Sequence, residues 1–200
     1  MNRWLILGHC FVEAPLKVEA LSIPEIKLVT PKIFRDDRGF FSETFNAREL
    51  AAADIKEVFV QDNHSLSVAR GVVRGLHFQI PPKAQDKLVR VMRGSILDVA
   101  VDIRAGSPTF GKHVTAILSA DNWRQLWVPK GFAHGFCTLE PDTEVVYKVT
   151  EYYAPDCDRG IRWDDPALGI EWPIAAGEAI LSAKDMKNPL LAELTSYFHY

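Results

Sequence analysis

Residues 124–139 read Arg124-Gln125-Leu126-Trp127-Val128-Pro129-Lys130-Gly131-Phe132-Ala133-His134-Gly135-Phe136-Cys137-Thr138-Leu139. Two short β-forming runs, 124–128 and 132–139, are parted by a turn signal built on proline and glycine. The same pattern continues outward in both directions. Upstream lie runs at 28–34, 39–45, 57–67, 72–79, 87–92, 96–103 and 112–119, the first two separated by Asp36-Asp37-Arg38-Gly39; downstream lies 144–150. One small helix is expected from Asn46, a good N-cap residue with Glu49 three positions on, as in a capping box. No long amphipathic helix intervenes, so the pattern implies a sandwich or barrel and not βαβ units. From 156 to 173 the chain carries Gly160, Pro166, Gly169 and Pro173 with Trp163 and Trp172 between them. This reads as ordered loop packed on the sheets by aromatics, and a short helix is expected after Pro189. The expectation is an all-β, double-sheet jelly roll of roughly eight to ten strands, with a short N-terminal helix and a loop-rich C-terminal tail.

The chain has 200 residues, 48% of them apolar, which suits one domain with a sizeable core. The formal net charge is −3 and no basic run is present, so no nucleic-acid partner is expected. A small anionic substrate stays open, because a few focused arginines and lysines suffice for it. Cys10, Cys137 and Cys157 are scattered, form no C-x-x-C pair and fit a reducing cytoplasm. Residues 1–12 hold a short apolar run broken by Gly8, His9 and Cys10, too short to span a bilayer and without a good cleavage site. Residues 1–17 are therefore expected to be an extension outside the fold, with a targeting segment as the alternative, and residues 18–200 a single domain without membrane attachment.

Pro129-Lys130-Gly131-Phe132-Ala133-His134 matches the P-x-G-x-x-H core of the second cupin motif, which sharpens the fold expectation to a cupin-like jelly roll. The first motif departs from the metal-binding pattern. His77 is followed two positions on by Gln79 instead of a second histidine, and Asp86 is the only carboxylate in a stretch that also holds Lys83 and Lys87; Gly94 keeps the distal position. A divalent ion needs several histidines or carboxylates converging on it, and Lys87 would repel it. No metal and no other cofactor are expected.

Other residues are placed by alternation along strands. Period two puts His77 on one face with Val73, Gly75 and Gln79, and Arg74 on the other unless the strand bends. A histidine there is by itself an ordinary core residue. Tyr147 shares a face with Val145 and Val149, where a tyrosine is a core residue or a proton donor aimed into a pocket. Gln61, Asn63 and Ser65 share a face that is either solvated or a polar wall reading a ligand. Ser182-Ala183-Lys184-Asp185 is a surface turn unless it folds over the pocket and carries Asp185 to His77.

Together these motifs closely resemble the dTDP-4-dehydrorhamnose 3,5-epimerase family, from about residue 18 to 194. The resemblance rests on Asp37-Arg38-Gly39-Phe40-Phe41, residues 60–65, 74–79 and 87–90, Ser107-Pro108-Thr109-Phe110-Gly111, residues 124–127 and 131–136, Ile170-Glu171-Trp172-Pro173, and residues 182–185. It implies that His77 is the base, that Asp185 orients and charges it, that Tyr147 donates a proton on the opposite ring face, and that Lys87 lies beside the sugar 4-oxygen. It implies further that Arg38, Glu43, Gln61, Asp62, Asn63, Arg74, His134 and Lys184 contact substrate. Tyr153 would stack on thymine, and Asp158 would stand where the family often has Glu. The substrate implied is dTDP-4-dehydro-6-deoxy-D-glucose. A homodimer is implied too, with N-terminal residues reaching the neighbouring site, so that Arg38 and Glu43 act in trans.

The chemistry is consistent with these assignments. A C4 ketone acidifies the hydrogens on C3 and C5, and a cation at its oxygen stabilises the enolate. Histidine titrates near neutrality and suits a general base, while inversion requires a second group on the other face. The rivals are a relative acting on one carbon or on another nucleotide-linked 4-keto sugar, a metal-dependent cupin oxygenase, and a cupin that only binds sugar nucleotide.

Overall fold

The computed structural model describes residues 16–200; the apolar N-terminal run and Cys10 lie outside the described residues. In chain order the elements are β1 Leu16–Ala20, β2 Lys27–Pro31, β3 Ile33–Asp36, β4 Gly39–Ser42, α1 Ala47–Ala52, β5 Gln61–Ser67, β6 Val73–Gln79, β7 Lys87–Arg93, β8 Ser95–Asp102, β9 Arg104–Ala105, β10 His113–Ser119, β11 Gln125–Val128, β12 Phe132–Thr138, β13 Thr143–Val149, β14 Asp158–Gly160 and β15 Phe198–His199. Two antiparallel sheets dominate: β1-β2-β11-β7-β13-β5 and β10-β8-β12-β6-β14. The jelly-roll expectation holds. Among the described residues no helix is long and apolar enough to cross a membrane.

Alternation along each strand sorts its residues between the inner and outer faces. The inner core takes Leu28, Val89, Val91, Leu126 and Val145 from the six-stranded sheet and Ile96, Ala100, Val114, Phe132 and Phe136 from the five-stranded one. Outside the five-stranded sheet, Leu76, Phe78, Val99, Val101 and Ala133 are covered by Ile161, Leu168, Trp172, Leu191 and Leu194 of the tail. Hence β12 is buried at every position. The tail is ordered loop, as expected; the Trp163 and Trp172 rings lie 5.7 Å apart and Trp172 Nε1 donates to the Trp163 carbonyl. Fully burying side chains such as Leu76 and Ile161 contributes roughly 1.5–3 kcal/mol each. The short helix expected after Pro189 is a single 3₁₀ turn, Leu191–Glu193, and another such turn, Asp185–Lys187, precedes it.

Three local expectations are corrected. The run 28–34 divides at Lys32 into β2 and β3, which belong to different sheets, and β3 and β4 form a separate hairpin. The first strand begins at Leu16, so Leu16 and Lys17 pair with Pro31 and Thr30 instead of lying outside the fold. The third correction bears on the site. Between β6 and β12 the register runs His77↔His134 and then Arg74↔Phe136, three steps on one strand against two on the other. This bulge turns Arg74 inward beside His77 and sends Val73 outward onto Cys137 and Trp163. Gly75 makes it possible: its φ is +134°, and a Cβ there would sit 2.5 Å from the Gly135 Cα. The helix behaves as expected at its start, where the Asn46 side chain accepts from the Arg48 and Glu49 amides.

Candidate active site

A cavity of about 540 Å³ opens between the two sheets at the end where polar side chains interrupt the inward apolar pattern. His77, Lys87, Arg74, His134, Tyr147, Lys184 and Asp185 all line it. An adjoining recess shares His77, Lys87 and Tyr147 and adds Gln61, Asn63, Tyr153 and Asp158. The structure thus brings together eleven of the fourteen expected site residues.

Histidine 77 comes from β6 of the five-stranded sheet. Its Nε2 lies 2.5 Å from Asp185 Oδ1, and the carboxylate arrives on the 3₁₀ turn folded over the pocket. Burial pushes Asp185 up, but hydrogen bonds from His77, Ser182 and the Gly75 backbone outweigh it and hold the group below the usual carboxylate range. Asp185 is therefore ionised at neutral pH. Tyrosine 147 comes from β13 of the facing sheet. Burial raises its pKa, with the Arg74 charge opposing and Asp158 assisting, so the hydroxyl keeps its proton.

Lysine 87, at the start of β7, is buried and donates to the His77 carbonyl at 3.2 Å. Among the described residues no carboxylate stands within ion-pair distance of it. Burial lowers its pKa to about 8, against the pull of Asp158 and Asp98 and with the help of Lys184. Arg74 is braced by Ser67 Oγ and the Leu66 carbonyl, each at 3.1 Å. At the mouth, Lys184 pairs with Asp158, which also accepts from the Tyr153 hydroxyl at 3.1 Å. Gln61 Nε2 donates to Asn63 Oδ1 at 2.8 Å, and both side chains line the recess.

Three expected residues do not reach this pocket. Asp62 faces the opposite side of its strand and pairs with Lys148 at 3.0 Å. Arg38 is exposed on the β3–β4 hairpin, paired with Asp36, and Glu43 accepts from the Asn46 side-chain Nδ2. One participant escaped the sequence reading. Asp98 of β8 is fully buried and its Oδ1 lies 2.6 Å from His134 Nε2. The signal was an acid inside the apolar run Ile96-Leu97-Asp98-Val99-Ala100, a position that is costly without a partner.

The donor set does not suit a divalent ion. Nε2 of each histidine is engaged by its own carboxylate, and Lys87 puts a cation in the same cavity. Among the described residues no three His, Cys, Asp or Glu side chains converge as ligands.

The model of the dTDP-4-dehydrorhamnose 3,5-epimerase family matches residues 20–193. This chain belongs to that family. A dTDP-4-dehydrorhamnose 3,5-epimerase of Sinorhizobium fredii is 54% identical over 182 residues, 91% of this chain and 93% of the relative. The epimerase of Bacillus anthracis, solved with TDP and pyrophosphate bound, superposes with a TM-score of 0.85 at 54% identity, covering 88% of this chain and 99% of its own. That of Legionella pneumophila, solved with dTDP-4-keto-L-rhamnose, gives 0.87 at 46% identity, covering 92% and 98%. The epimerase family and the cupin-like fold agree with the sequence reading.

Proposed function

We propose that this epimerase inverts C3 and C5 of dTDP-4-dehydro-6-deoxy-D-glucose to give dTDP-4-dehydro-L-rhamnose, with His77 as base and Tyr147 as acid. The observation that carries the assignment is their origin on opposite sheets, with the Lys87 cation in the same cavity. A ring lying between the sheets meets the base on one face and the acid on the other, which inversion demands.

His77 Nε2 faces Asp185, so the ring's other nitrogen is the one available to take the carbon-bound proton. The electrons move into the C4 carbonyl, and Lys87 stabilises the resulting enolate oxygen in place of a metal. Ionised Asp185 favours the imidazolium formed. Tyr147 then gives its hydroxyl proton to the same carbon from the opposite face. Both groups return to their starting states by exchange with solvent, and a second cycle follows at the other carbon. Arginine 74 and Lys184 suit the diphosphate, and the Tyr153 face suits the thymine.

The assembly we propose is a homodimer. The β3–β4 hairpin is paired to neither main sheet and exposes Phe34, Phe40 and Phe41. Such an apolar arm needs a partner, and a second copy would place Arg38 and Glu43 in the neighbour's site. Mixing inactive His77→Ala with inactive Arg38→Ala chains should then restore activity toward a quarter of the native value, given random pairing; no restoration would exclude the shared site. The nucleotide-linked substrate and the free Cys137 and Cys157 support a cytoplasmic location.

The deciding test is proton NMR of the substrate in deuterated water without added metal, with the product trapped by a reductase. Deuterium at both C3 and C5 is expected. Deuterium at one carbon would indicate a single-carbon epimerase, and none at either would overturn the assignment.

A further inference from the structure

Residues 151–154 link β13 to the 3₁₀ turn Pro155–Cys157 and adopt no regular structure. Their backbone groups are nevertheless held, by side chains in place of a sheet. Glutamine 85 donates to the Glu151 carbonyl at 2.7 Å. Gln79 donates to the Tyr152 carbonyl at 3.2 Å and accepts from the Ala154 amide at 2.7 Å. Gln61 accepts from the Tyr153 amide at 3.1 Å. Three glutamines thus bind a backbone group on each of four successive residues, and the side chain at the centre of the segment is Tyr153.

Gln79 is the keystone. It is 4% exposed, and its second amide hydrogen goes to the Lys83 carbonyl at 2.6 Å. The carboxamide offers donors and an acceptor on one planar group, so that it holds a C=O and an N–H two residues apart. A glutamate lacks the donors and an aliphatic side chain lacks both. In cupins with an H-x-H motif this position bears a metal ligand; here it bears a clamp for the loop over the pocket mouth.

We infer that Gln79, supported by Gln85, is a positioning residue that sets nucleotide affinity by fixing the backbone on either side of Tyr153, and takes no part in proton transfer. This rests on the reading that Tyr153 holds the nucleobase. Loosening the loop leaves Tyr153 restrained only by Gln61 and by its hydroxyl bond to Asp158, so the ring samples more orientations and binding must supply the ordering that the clamp supplies in advance.

The test compares kcat, KM and the calorimetric dTDP affinity of the wild type with Gln79→Leu, Gln85→Leu, Tyr153→Ala and the double variant Tyr153→Ala/Gln79→Leu. Gln79→Leu should weaken dTDP binding and raise KM by about tenfold, leaving kcat within about twofold. Gln85→Leu, which loses one bond, should cost about threefold and serves the same purpose if Gln79→Leu fails to fold. On the Tyr153→Ala background, Gln79→Leu should add almost nothing. An equal loss on both backgrounds, or a fall in kcat matching the rise in KM, would show a general structural role and overturn the inference. A Tyr153→Ala loss with normal affinity in both glutamine variants would overturn it while leaving the nucleobase reading intact. Unchanged affinity in Tyr153→Ala would refute that reading, and the inference with it.

Discussion

The cavity holds two histidine–carboxylate pairs that look alike in outline and differ in construction. In His77–Asp185 the histidine is 31% exposed and the carboxylate arrives on a turn 108 residues along the chain. In His134–Asp98 the histidine is 8% exposed, the acid is fully buried, and both belong to adjacent strands β12 and β8. The first pair has an open side from which a proton can be taken and later lost to solvent. The second is walled into the sheet and offers the cavity a fixed group. One pair is suited to turnover and the other to holding, and the difference lies in access, not in residue type.

The largest expected effect belongs to the first pair. His77→Ala should lower both deuterium exchange and inversion by about 10²–10⁴-fold, with the fold intact by circular dichroism. A comparable collapse of exchange in a folded His134 variant would erase the distinction between the pairs. Next, Tyr147→Phe should lose inversion by about 10²–10⁴-fold while carbon–deuterium exchange from the His77 face persists, read by NMR against product formation. Equal loss of both would undercut the division of roles.

The second pair should matter more for stability. Truncation by His134→Ala leaves the buried Asp98 carboxyl with neither oxygen partnered, because Asp98 Oδ2 already has no hydrogen bond. Urea denaturation should show a loss of about 3 kcal/mol. His77→Ala should lose less than half of that, because Asp185 keeps its contacts to Ser182 and Gly75. The reverse order would mean that the half-exposed pair carries the fold.

A smaller effect sharpens the account of the cation between the sheets. Lys87 is charged below its depressed pKa of about 8 and loses its proton as the pH rises through that value. The kcat/KM profile should therefore decline above about pH 8, and the decline should vanish in Lys87→Met, whose residual activity is low at every pH. A profile flat to pH 10 in the wild type would remove Lys87 as a charged stabiliser.

Much of this protein could be read along the chain. Strand periods in 124–139 and its neighbours report the jelly roll, because one buried face forces alternation whatever the partners are. Asn46 announces α1, because capping is local. Tyr147 could be assigned to the inner face of β13 from the apolar residues on either side of it. His77, Lys87 and His134 were marked by sitting in motifs whose metal-binding version is incomplete here. Where the sequence reading failed, distance along the chain was the reason. The face of Arg74 depends on a bulge that exists only because β6 must pass within van der Waals contact of Gly135 on β12. Asp98 is recognisable as a partner only once His134 lies beside it.

By itself, the sequence determined the fold class, the family and the kinds of chemical group available, since these follow from local period, turn chemistry and motif. Tertiary structure decided which groups meet. It set Asp185 on His77, turned Arg74 into the pocket, kept Asp62 out of it and used Gln79 as a clamp. Those outcomes depend on register, on a bulge and on the path of a loop, and each is settled by packing and hydrogen bonding between segments far apart in the chain.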